Sequence, residues 1–453
     1  MIQITRESLT VDLVRKLLRK GALTSLKNIL QKVHPADIAL FFNYLNEKEK
    51  EAIFRLCVEI EKFPEIISLL ESSESAKLLT TLKKEEIYKI FKNIHSDDVV
   101  DIINALPEEL AQDILSFMKK EDVAEIESLL EYKEDTAGGI MNPDFFALEE
   151  NTTVKDAVDS LRNSKDVEMV FYLYVVDNRN HLVGVVSLRY LVTSKSDAKL
   201  KDIMNTDVIS VRTNMDQEEV ARIVTRYDIL AVPVVDEENK LVGVIMVDDI
   251  IDVIRAENTE DMMKMAGITE EEIVTKSTYS SFKIRLPWLF ATFIGGIFAS
   301  EIIGVFQENL KQVIALAFFI PIIMGMGGNI GTQTSAIVVR GIALGKVDVK
   351  QFWHFIFKQF KIGILLGITY GILLGVVARF LHAEVSYIGI TVCLAIISQM
   401  AVASILGSMI PMILKKLNID PAVATAPFVS TALDIIGIIT YFTFASIFIF
   451  KGI

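Results

Sequence analysis

Hydrophobic positions divide the chain into three stretches with different periodicities. Over residues 1–130, apolar side chains recur at helical spacing in short runs, which predicts a series of short amphipathic helices. Residues 137–255 contain β-branched runs that alternate with helical stretches, which predicts an α/β region. After Arg285 most of the chain is apolar, in runs close to the roughly 20 residues that cross a bilayer as a helix. The pattern therefore predicts two water-soluble regions followed by a membrane domain.

Five apolar runs predict five transmembrane helices. Basic residues precede the first run and fill the second and fourth connections, whereas the first and third connections contribute only Lys311 and Arg379. Because Lys and Arg accumulate on the cytoplasmic side, the C-terminus is expected outside the cell (inner) membrane. The chain is charged from Arg6 onward without the apolar core of a signal peptide, so the first half is expected in the cytosol. The runs are residues 287–306, 312–343, 360–381, 388–414 and 424–450.

Charge separates the same two parts. Among the 453 residues, 51% are apolar and the net charge is −13, but residues 284–453 carry 11 basic and 6 acidic residues against 35 and 53 elsewhere. This mixture excludes a single globular domain, a disordered chain and a nucleic-acid binder with a basic footprint. Cys57 and Cys393 are too few and too far apart for a disulfide scaffold or a cysteine-based zinc site.

Both soluble stretches contain internal repeats. His34–Ile38 recurs as His95–Val99, each followed by a leucine at the same spacing, which predicts stacked helices with the two histidines at helix entries rather than as ligands. In the α/β region, Ile140–Asn142 matches Ile203–Asn205. This duplication resembles a tandem pair of CBS domains, which often bind adenine nucleotides between their copies. The strands are expected at Phe171–Val176, Leu182–Val186, Ala231–Val235 and Leu241–Val247.

Glycine has two different patterns in the membrane half. Gly363, Gly367, Gly371 and Gly375 are four residues apart, which indicates close packing against another helix. Gly325–Gln333, preceded by Pro321, combines glycines with two amides; we expect it to break the helix and to line a pore with carbonyls and the Asn329 and Gln333 amides. A simple packing kink is the alternative.

Asp434 is the sharpest single residue, because it lies inside the last apolar run, which has no basic residue to pair with it. A carboxylate at bilayer depth costs at least ~2.5–3.5 kcal/mol, so it should face a cavity, a partner or an ion. The alternative is a structural carboxyl that is protonated or bonded to hydroxyl groups.

Acidic residues are dense between the α/β region and the first apolar run. Five of them, from Asp249 to Asp261, are spaced so that most share one broad side of a helix, which we expect to continue into the first transmembrane segment. A solvated face is the ordinary explanation. Carboxylates at this density also repel one another and can bind divalent cations when a second acidic surface approaches. Glu270, Glu271 and Glu272 extend the acidic run.

The Gly-Gly-Asn-x-Gly-x-Gln segment at Gly327–Gln333 and the Pro-to-Asp segment Pro427–Asp434 complete a resemblance of the whole chain to the MgtE family of magnesium transporters. It implies a multidomain membrane protein with a superhelical α-helical N-domain, α/β tandem CBS domains and a five-helix transmembrane domain. The expected boundaries are 1–136 for the N-domain, 137–200 and 201–255 for the CBS copies, 256–283 for an acidic connecting (plug) helix and 284–453 for the pore domain.

The resemblance further implies a homodimer in the lipid membrane that imports Mg²⁺ and is closed by cytosolic Mg²⁺. Its pore would contain Gly327, Gly328, Asn329 and Gln333, with Asp434 as the ion site. ATP is implied as a regulator, bound near Tyr172, Arg189 and Pro233. The implied Mg²⁺-sensing residues are Asp97, Asp101, Asp216, Glu218, Asp228, Asp249, Asp252, Glu257, Glu260 and Asp261.

Besides a Mg²⁺ transporter, the residues themselves leave two other function classes open. Hard oxygen ligands also suit other divalent ions such as Co²⁺ or Mn²⁺. The protein could instead be a non-conducting membrane-anchored sensor of ions or nucleotides. No Walker loop and no nucleophile with its base is recognisable, so an enzyme is not expected.

Overall fold

The computed structural model describes residues 11–163, 171–269, 272, 277–347, 351–424 and 427–450. The chain divides at Ile251 into two compact units, which are described in turn. The first contains a helical stack and two small sheets. The second contains the long apolar helices.

The helical part of the first unit is a stack in which helices contact those two positions further along, such as α6 on α8 and α8 on α10. His34 caps α3, where its Nδ1 accepts a hydrogen bond from the Ala36 amide, and His95 occupies the same position before α8. Both therefore begin helices, as the repeat predicted. The bounds are α1 Val11–Arg19, α2 Leu23–Leu30, α3 Pro35–Phe42, α4 Glu47–Glu59, α5 Phe63–Ile67, α6 Ser72–Leu79, α7 Lys84–Phe91, α8 Ser96–Ala105, α9 Glu108–Phe117 and α10 Lys120–Leu130.

Two three-stranded sheets of identical topology follow, ordered β1-β2-β3 and β4-β5-β6, each with one parallel and one antiparallel pair. The four expected strands are present within one or two residues. Two short parallel strands, β1 and β4, were not expected because three and two residues leave no readable alternation. The elements are β1 Ala147–Glu149, α11 Val154–Asn163, β2 Tyr172–Val176, β3 Leu182–Ser187, α12 Leu188–Thr193, α13 Leu200–Ile203, β4 Val211–Arg212, α14 Gln217–Tyr227, β5 Ala231–Val235 and β6 Leu241–Met246.

The repeated Met-Asn motif joins the two copies reciprocally. Asn142 exchanges two backbone hydrogen bonds with Val244 of the second copy, and Asn205 does the same with Val185 of the first. Each methionine before these asparagines packs on a strand glycine of the other copy, where a Cβ atom would collide with it. The duplication seen in the sequence thus produces a pseudo-symmetric pair.

The acidic connecting helix, α15, runs Val247–Ala266 and does not continue into the membrane. The expectation of one continuous helix over residues 256–283 is wrong. Gly267 has φ +75°, and the amides of Gly267 and Ile268 bond back to the carbonyls of Lys264 and Met263. This pattern satisfies the last carbonyls of a helix and ends it.

In the described part of the chain, five helices are long and apolar enough to cross a membrane, as predicted. The third begins eight residues earlier than expected, because polar residues in its first turns lower the local hydropathy. The helices are α16 Thr278–Val305, the short α17 Gln307–Gln312, α18 Ile320–Ala343, α19 Phe352–Leu381, α20 Ile388–Lys416 and α21 Pro427–Ala445. A 3₁₀ segment, Ile314–Phe319, leads into α18, and a π-helical turn, Ser446–Phe450, follows α21.

The glycine stripe of α19 packs against α20, as predicted. A Cβ atom at Gly367, Gly371 or Gly375 would lie within 2.8 Å of the backbone of α20. Small residues in membrane helices permit such close approach, which is how helices gain van der Waals contact where lipid provides no hydrophobic driving force.

Candidate ion-conducting and regulatory sites

The carboxylate of Asp434 lies two turns into α21 and is half-buried. Among the described residues it has no ion-pair or hydrogen-bond partner. A group of this kind cannot face lipid without a large desolvation cost, so its open side must meet water, an ion or another chain.

One exposed face of α18 carries two amide side chains. Asn329 and Gln333 are one turn apart and exposed in the single chain, in line with Gly325, Ile337 and Arg340. Two amides at bilayer depth prefer a hydrogen-bonding surface to hydrocarbon. This face therefore needs a polar covering.

The expected break in this segment is wrong. Helix α18 is continuous through Gly325–Gln333, and Pro321 lies in its first turn rather than in a kink. An open backbone in hydrocarbon would leave several polar groups unsatisfied, and an intact helix avoids that cost. A lining by the backbone carbonyls of this segment is therefore excluded, because the helix uses them.

The glycines of α18 instead admit its neighbours. A Cβ atom at Gly331 would collide with Leu433 of α21, and one at Gly407 of α20 would lie 3.2 Å from the Cα atom of Gly331. Gly328 is different, because a Cβ atom there would have Ser430 as its nearest neighbour, at 3.9 Å. Gly328 has room for a side chain, and Gly331 and Gly407 have none.

We expect Gly407→Ala to lower the free energy of unfolding by ~1–3 kcal/mol, the usual cost of overpacking a tight contact. Gly328→Ala should change it by less than ~0.5 kcal/mol, because the added methyl meets open space. Gly328→Leu should still fold but block conduction. Thermal unfolding in detergent and flux in liposomes measure the two effects, and normal current from Gly328→Leu would contradict a pore role for this segment.

Gln399 of α20 is a residue that the sequence did not reveal. It is fully buried, and its Nε2 atom donates a hydrogen bond of 2.7 Å to the carbonyl of Leu433, the residue before Asp434. Its Oε1 atom is buried with no protein partner in the described part of the chain. Cβ atoms at Gly327 and Gly437 would both collide with its amide.

In the first unit, carboxylates from α8 and from the start of α15 form an acidic cluster, which we define as Asp97, Asp98, Asp101, Asp248 and Asp249. Desolvation and the charge of Asp98 raise the pKa of Asp97 to about 6. Desolvation, with the charges of Asp97 and Asp248, raises the pKa of Asp249 to about 7. The cluster thus brings together three of the expected sensing residues and adds Asp98 and Asp248, which only the tertiary fold places there.

Asp101 and the neighbouring Asn142 add to this description of the cluster. The pKa of Asp101 rises to about 7, because surrounding protein desolvates its carboxyl and Asp97 and Asp98 repel its charge, although one side of it stays exposed. Asn142 of the first Met-Asn motif donates a hydrogen bond of 3.4 Å to Asp97. Raised pKa values in a like-charged group indicate that a positive counter-charge would be stabilising.

Three other expected sensing residues of the first unit lie outside the acidic cluster and have local roles. Asp216 caps α14 by accepting a hydrogen bond from the Glu218 amide, and Glu218 pairs with Arg222 at 3.6 Å. Asp228 ends the same helix in a left-handed conformation, with φ +51°. Within the described ranges, no three His, Cys, Asp or Glu side chains are placed so that they could hold a metal ion.

In the second unit, α15 contacts the end of the helix that carries Asn329 and the connection that precedes the helix with Asp434. Lys264 bridges Glu260 and Asp420, the latter at 2.7 Å, just before α21. Arg340, near the end of α18, donates a hydrogen bond to Asn258. Of the other acidic residues, Asp252 pairs with Arg255 at 3.2 Å, and Glu257 and Asp261 are half-buried.

The acidic run ends with three consecutive glutamates before the first transmembrane helix. Glu270 and Glu271 lie outside the described residues. Glu272 pairs with Arg285 at the start of α16, with 2.6 Å between Oε1 and Nε.

The residues expected near a nucleotide lie on adjoining elements of the CBS pair. Tyr172 belongs to a hydrophobic cluster that also contains Ala231, two residues before the buried Pro233 on β5. Arg189 is exposed on α12, and its guanidinium forms no ion pair within the described residues. Tyr174 in the same cluster has a buried hydroxyl without a partner there, and burial raises its pKa.

Comparisons with known families agree with this division. Residues 33–135 match the MgtE intracellular N domain, residues 137–197 and 200–256 match CBS domains, and residues 320–444 match a family described as divalent cation transporters. A magnesium transporter MgtE of Bacillus subtilis is 35% identical over 96% of both chains. The chain belongs to the MgtE family.

Two further relatives support the assignment. The magnesium transporter MgtE of Thermus thermophilus is 35% identical over 97% of this chain and 98% of its own. A solved cytosolic domain of the Mg²⁺ channel MgtE, in complex with ATP, superimposes with a TM-score of 0.50 at 35% identity, covering 53% of this chain and 98% of that structure. As an MgtE-family member, the protein is a multi-pass membrane protein with a soluble N-terminal region, in a family of transporters rather than enzymes.

Proposed function

We propose that this protein imports Mg²⁺ through a pore lined by α18 and α21, and that cytosolic Mg²⁺ closes it. The observation that carries the proposal is the carboxylate of Asp434, which has no partner in the described part of the chain, together with the uncovered amides of Asn329 and Gln333. The magnesium transporters among its relatives support Mg²⁺ as the transported ion.

A second copy of the chain is the covering that the polar face of α18 needs. Two facing copies would place two Asp434 residues and four amides around one axis, and the apolar faces would remain toward lipid. In this segment, Gly327 makes room for the Gln399 amide, and Gly328 has open space beside it. The proposed protein is therefore a homodimer.

The chemistry of Mg²⁺ suits such a site. Mg²⁺ gives up its inner waters reluctantly, so a path with few carboxylates and several amides passes it as a hydrated ion. Two carboxylates supply the charge that attracts a dication. An inside-negative potential contributes ~4.6 kcal/mol per 100 mV for a double charge, so import needs no other energy source. The C-terminus would face outside, as the distribution of basic residues predicts.

Closure would begin at the acidic cluster. Its members lie on α8 and at the start of α15, and a bound Mg²⁺ with its waters would offset their mutual repulsion. Among the residues that the structure describes, no three side chains form a preassembled metal site, and the proposed ion would be held partly through its waters. Further Mg²⁺ ions would bind along α15, at Asp252, Glu257, Glu260 and Asp261. The surfaces that face these ions would contribute Asp216, Glu218 and Asp228.

The contacts of α15 give closure a route to the pore. Asn258 contacts Arg340 of α18, and Lys264 contacts Asp420 before α21. A shift of α15 would therefore reach the end of α18 and the connection that leads into α21. ATP would bind the CBS pair near Tyr172, Arg189 and Pro233 and modulate this coupling, as supported by the ATP complex of the related cytosolic domain.

Purified protein in liposomes tests the function directly. Under an inside-negative potential, we expect Mg²⁺ uptake that falls when Mg²⁺ is present on the cytosolic side. Competition with Co²⁺ and Mn²⁺ ranks the ions. Liposomes that show no flux under any condition would favour the non-conducting sensor.

The stability of the soluble part should depend on pH. The raised pKa values of Asp97, Asp101 and Asp249, about 6 to 7, mean that the folded state holds protons more tightly than the unfolded state between pH ~4 and ~7. Without Mg²⁺, stability of the soluble part should therefore fall as pH rises through this window.

The same groups make Mg²⁺ compete with protons. We expect Mg²⁺ to protect the soluble part from proteolysis more strongly at about pH 7.5 than at about pH 5.5, because a larger fraction of these carboxylates is ionised at the higher value. Limited proteolysis of the full chain at both pH values measures this. Equal Mg²⁺ protection at both would contradict binding at the acidic cluster.

A further inference from the structure

Gln399 connects the three helices around Asp434. Its amide lies between Gly327 of α18 and Gly437 of α21, and both positions lack the Cβ atom that would displace it. Its Nε2 atom bonds the carbonyl of Leu433 at 2.7 Å. Two glycines on different helices thus provide the space for one polar side chain.

Burying the Gln399 amide inside a transmembrane helix has a free-energy cost. Gln399 is 0% exposed, inside a span of mean hydropathy 2.1, and its Oε1 atom has no hydrogen-bond partner in the described part of the chain. A buried carbonyl oxygen without a partner costs ~1–3 kcal/mol. A leucine or methionine would fill the same volume without that cost, so packing alone does not explain the amide.

We propose that Gln399 is a positioning residue for Mg²⁺ conduction: the hydrogen bond from its amide to the Leu433 carbonyl fixes the turn of α21 that carries Asp434 against α18. The inference rests on the proposed role of Asp434. The hydrogen bond to Leu433 sets the axial position and rotation of that turn, because Leu433 and Asp434 are consecutive.

Loss of the amide should therefore alter conduction more than folding. Gln399→Met keeps the volume and removes both hydrogen-bonding groups. We expect its maximal Mg²⁺ flux in liposomes to fall by about tenfold, the lower end of the effect of residues that orient a metal site. The Mg²⁺ concentration at half-maximal flux should also rise. Gln359→Met is the matched control, since Gln359 is a buried glutamine of α19 that forms no hydrogen bond with the described residues of α21.

Gln399→Glu tests the hydrogen bond to Leu433 separately from the packing of the side chain. The neutral acid can donate to the Leu433 carbonyl as the amide does, but the carboxylate cannot. We expect the ratio of Gln399→Glu flux to wild-type flux to increase as pH falls. Gly437→Ala, which pushes on the same amide, should lower flux in the same way as Gln399→Met.

The outcomes separate this inference from the proposed function. If Asp434→Ala abolishes flux and Gln399→Met and Gln399→Glu both conduct as wild type at every pH, the role of Gln399 is overturned and the pore remains. If Asp434→Ala conducts normally, the pore assignment itself fails. If Gln399→Met does not fold, a flux ratio for Gln399→Glu that is independent of pH overturns the inference.

Discussion

Replacing Asp434 with alanine should reduce Mg²⁺ uptake by at least about tenfold while the protein still folds and dimerises. Its carboxylate is half-buried in an apolar helix and has no cationic partner within the described residues, so no ion pair is lost with it. What is lost is the negative charge that attracts a dication. Mg²⁺ flux in liposomes and the oligomeric state in detergent measure the two sides of this expectation.

Asp434→Asn separates charge from shape. The amide keeps the size and hydrogen-bonding capacity, so a loss of flux as large as that of Asp434→Ala would assign the effect to charge. Near-normal flux from both variants would make Asp434 a structural carboxyl and would remove the basis of the pore. Glu301→Gln is a suitable control, because Glu301 is an exposed carboxylate in another apolar helix, α16.

Asp434 stands out in the sequence as a candidate site residue, because one charge in a long apolar run is conspicuous. The same logic located the five spans and the glycine stripe of α19, since hydropathy and four-residue spacing act along a single helix. Gln399 could not be identified this way. Its importance depends on Gly327, Leu433 and Gly437, which lie on two other helices.

The predictions that were wrong or incomplete also have physical causes. Glycines weaken a helix in water, which suggested a break at Gly325–Gln333, but in hydrocarbon the cost of unsatisfied backbone groups keeps the helix intact. The end of α15 was readable, because Gly267 followed by an apolar residue is a typical helix C-terminus. The acidic cluster was half-predicted, since Asp98 and Asp248 join it only through the packing of α8 beside the start of α15.

Gating provides the second large effect. With Mg²⁺ bound, the carboxylates of the soluble part and of α15 should no longer repel, and α15 should hold the ends of α18 and α21 in a closed arrangement. If each bound ion favours the closed state by about tenfold, four sites shift the equilibrium by about 10⁴-fold. Weak single sites can therefore produce a steep response.

Neutralising four of these carboxylates together should give a protein that conducts at millimolar cytosolic Mg²⁺, where we expect the wild type to be closed. Protection of the soluble part by Mg²⁺ against proteolysis should be lost in the same variant. Channel recordings with cytosolic Mg²⁺ varied, and limited proteolysis of the full chain, measure both. The substitutions are Asp249→Asn, Asp252→Asn, Glu257→Gln and Asp261→Asn.

The control must change the net charge equally without touching the proposed sites. Four exposed glutamates of the soluble part serve this purpose: Glu108, Glu109, Glu149 and Glu237, each changed to glutamine. This variant should close with Mg²⁺ as the wild type does, because general charge repulsion is reduced by the same amount in both. If both variants lost closure equally, net charge rather than specific sites would govern gating. Equal open probability of the wild type with and without cytosolic Mg²⁺ would contradict gating by Mg²⁺ altogether, while leaving conduction through the Asp434 site to be judged by its own variants.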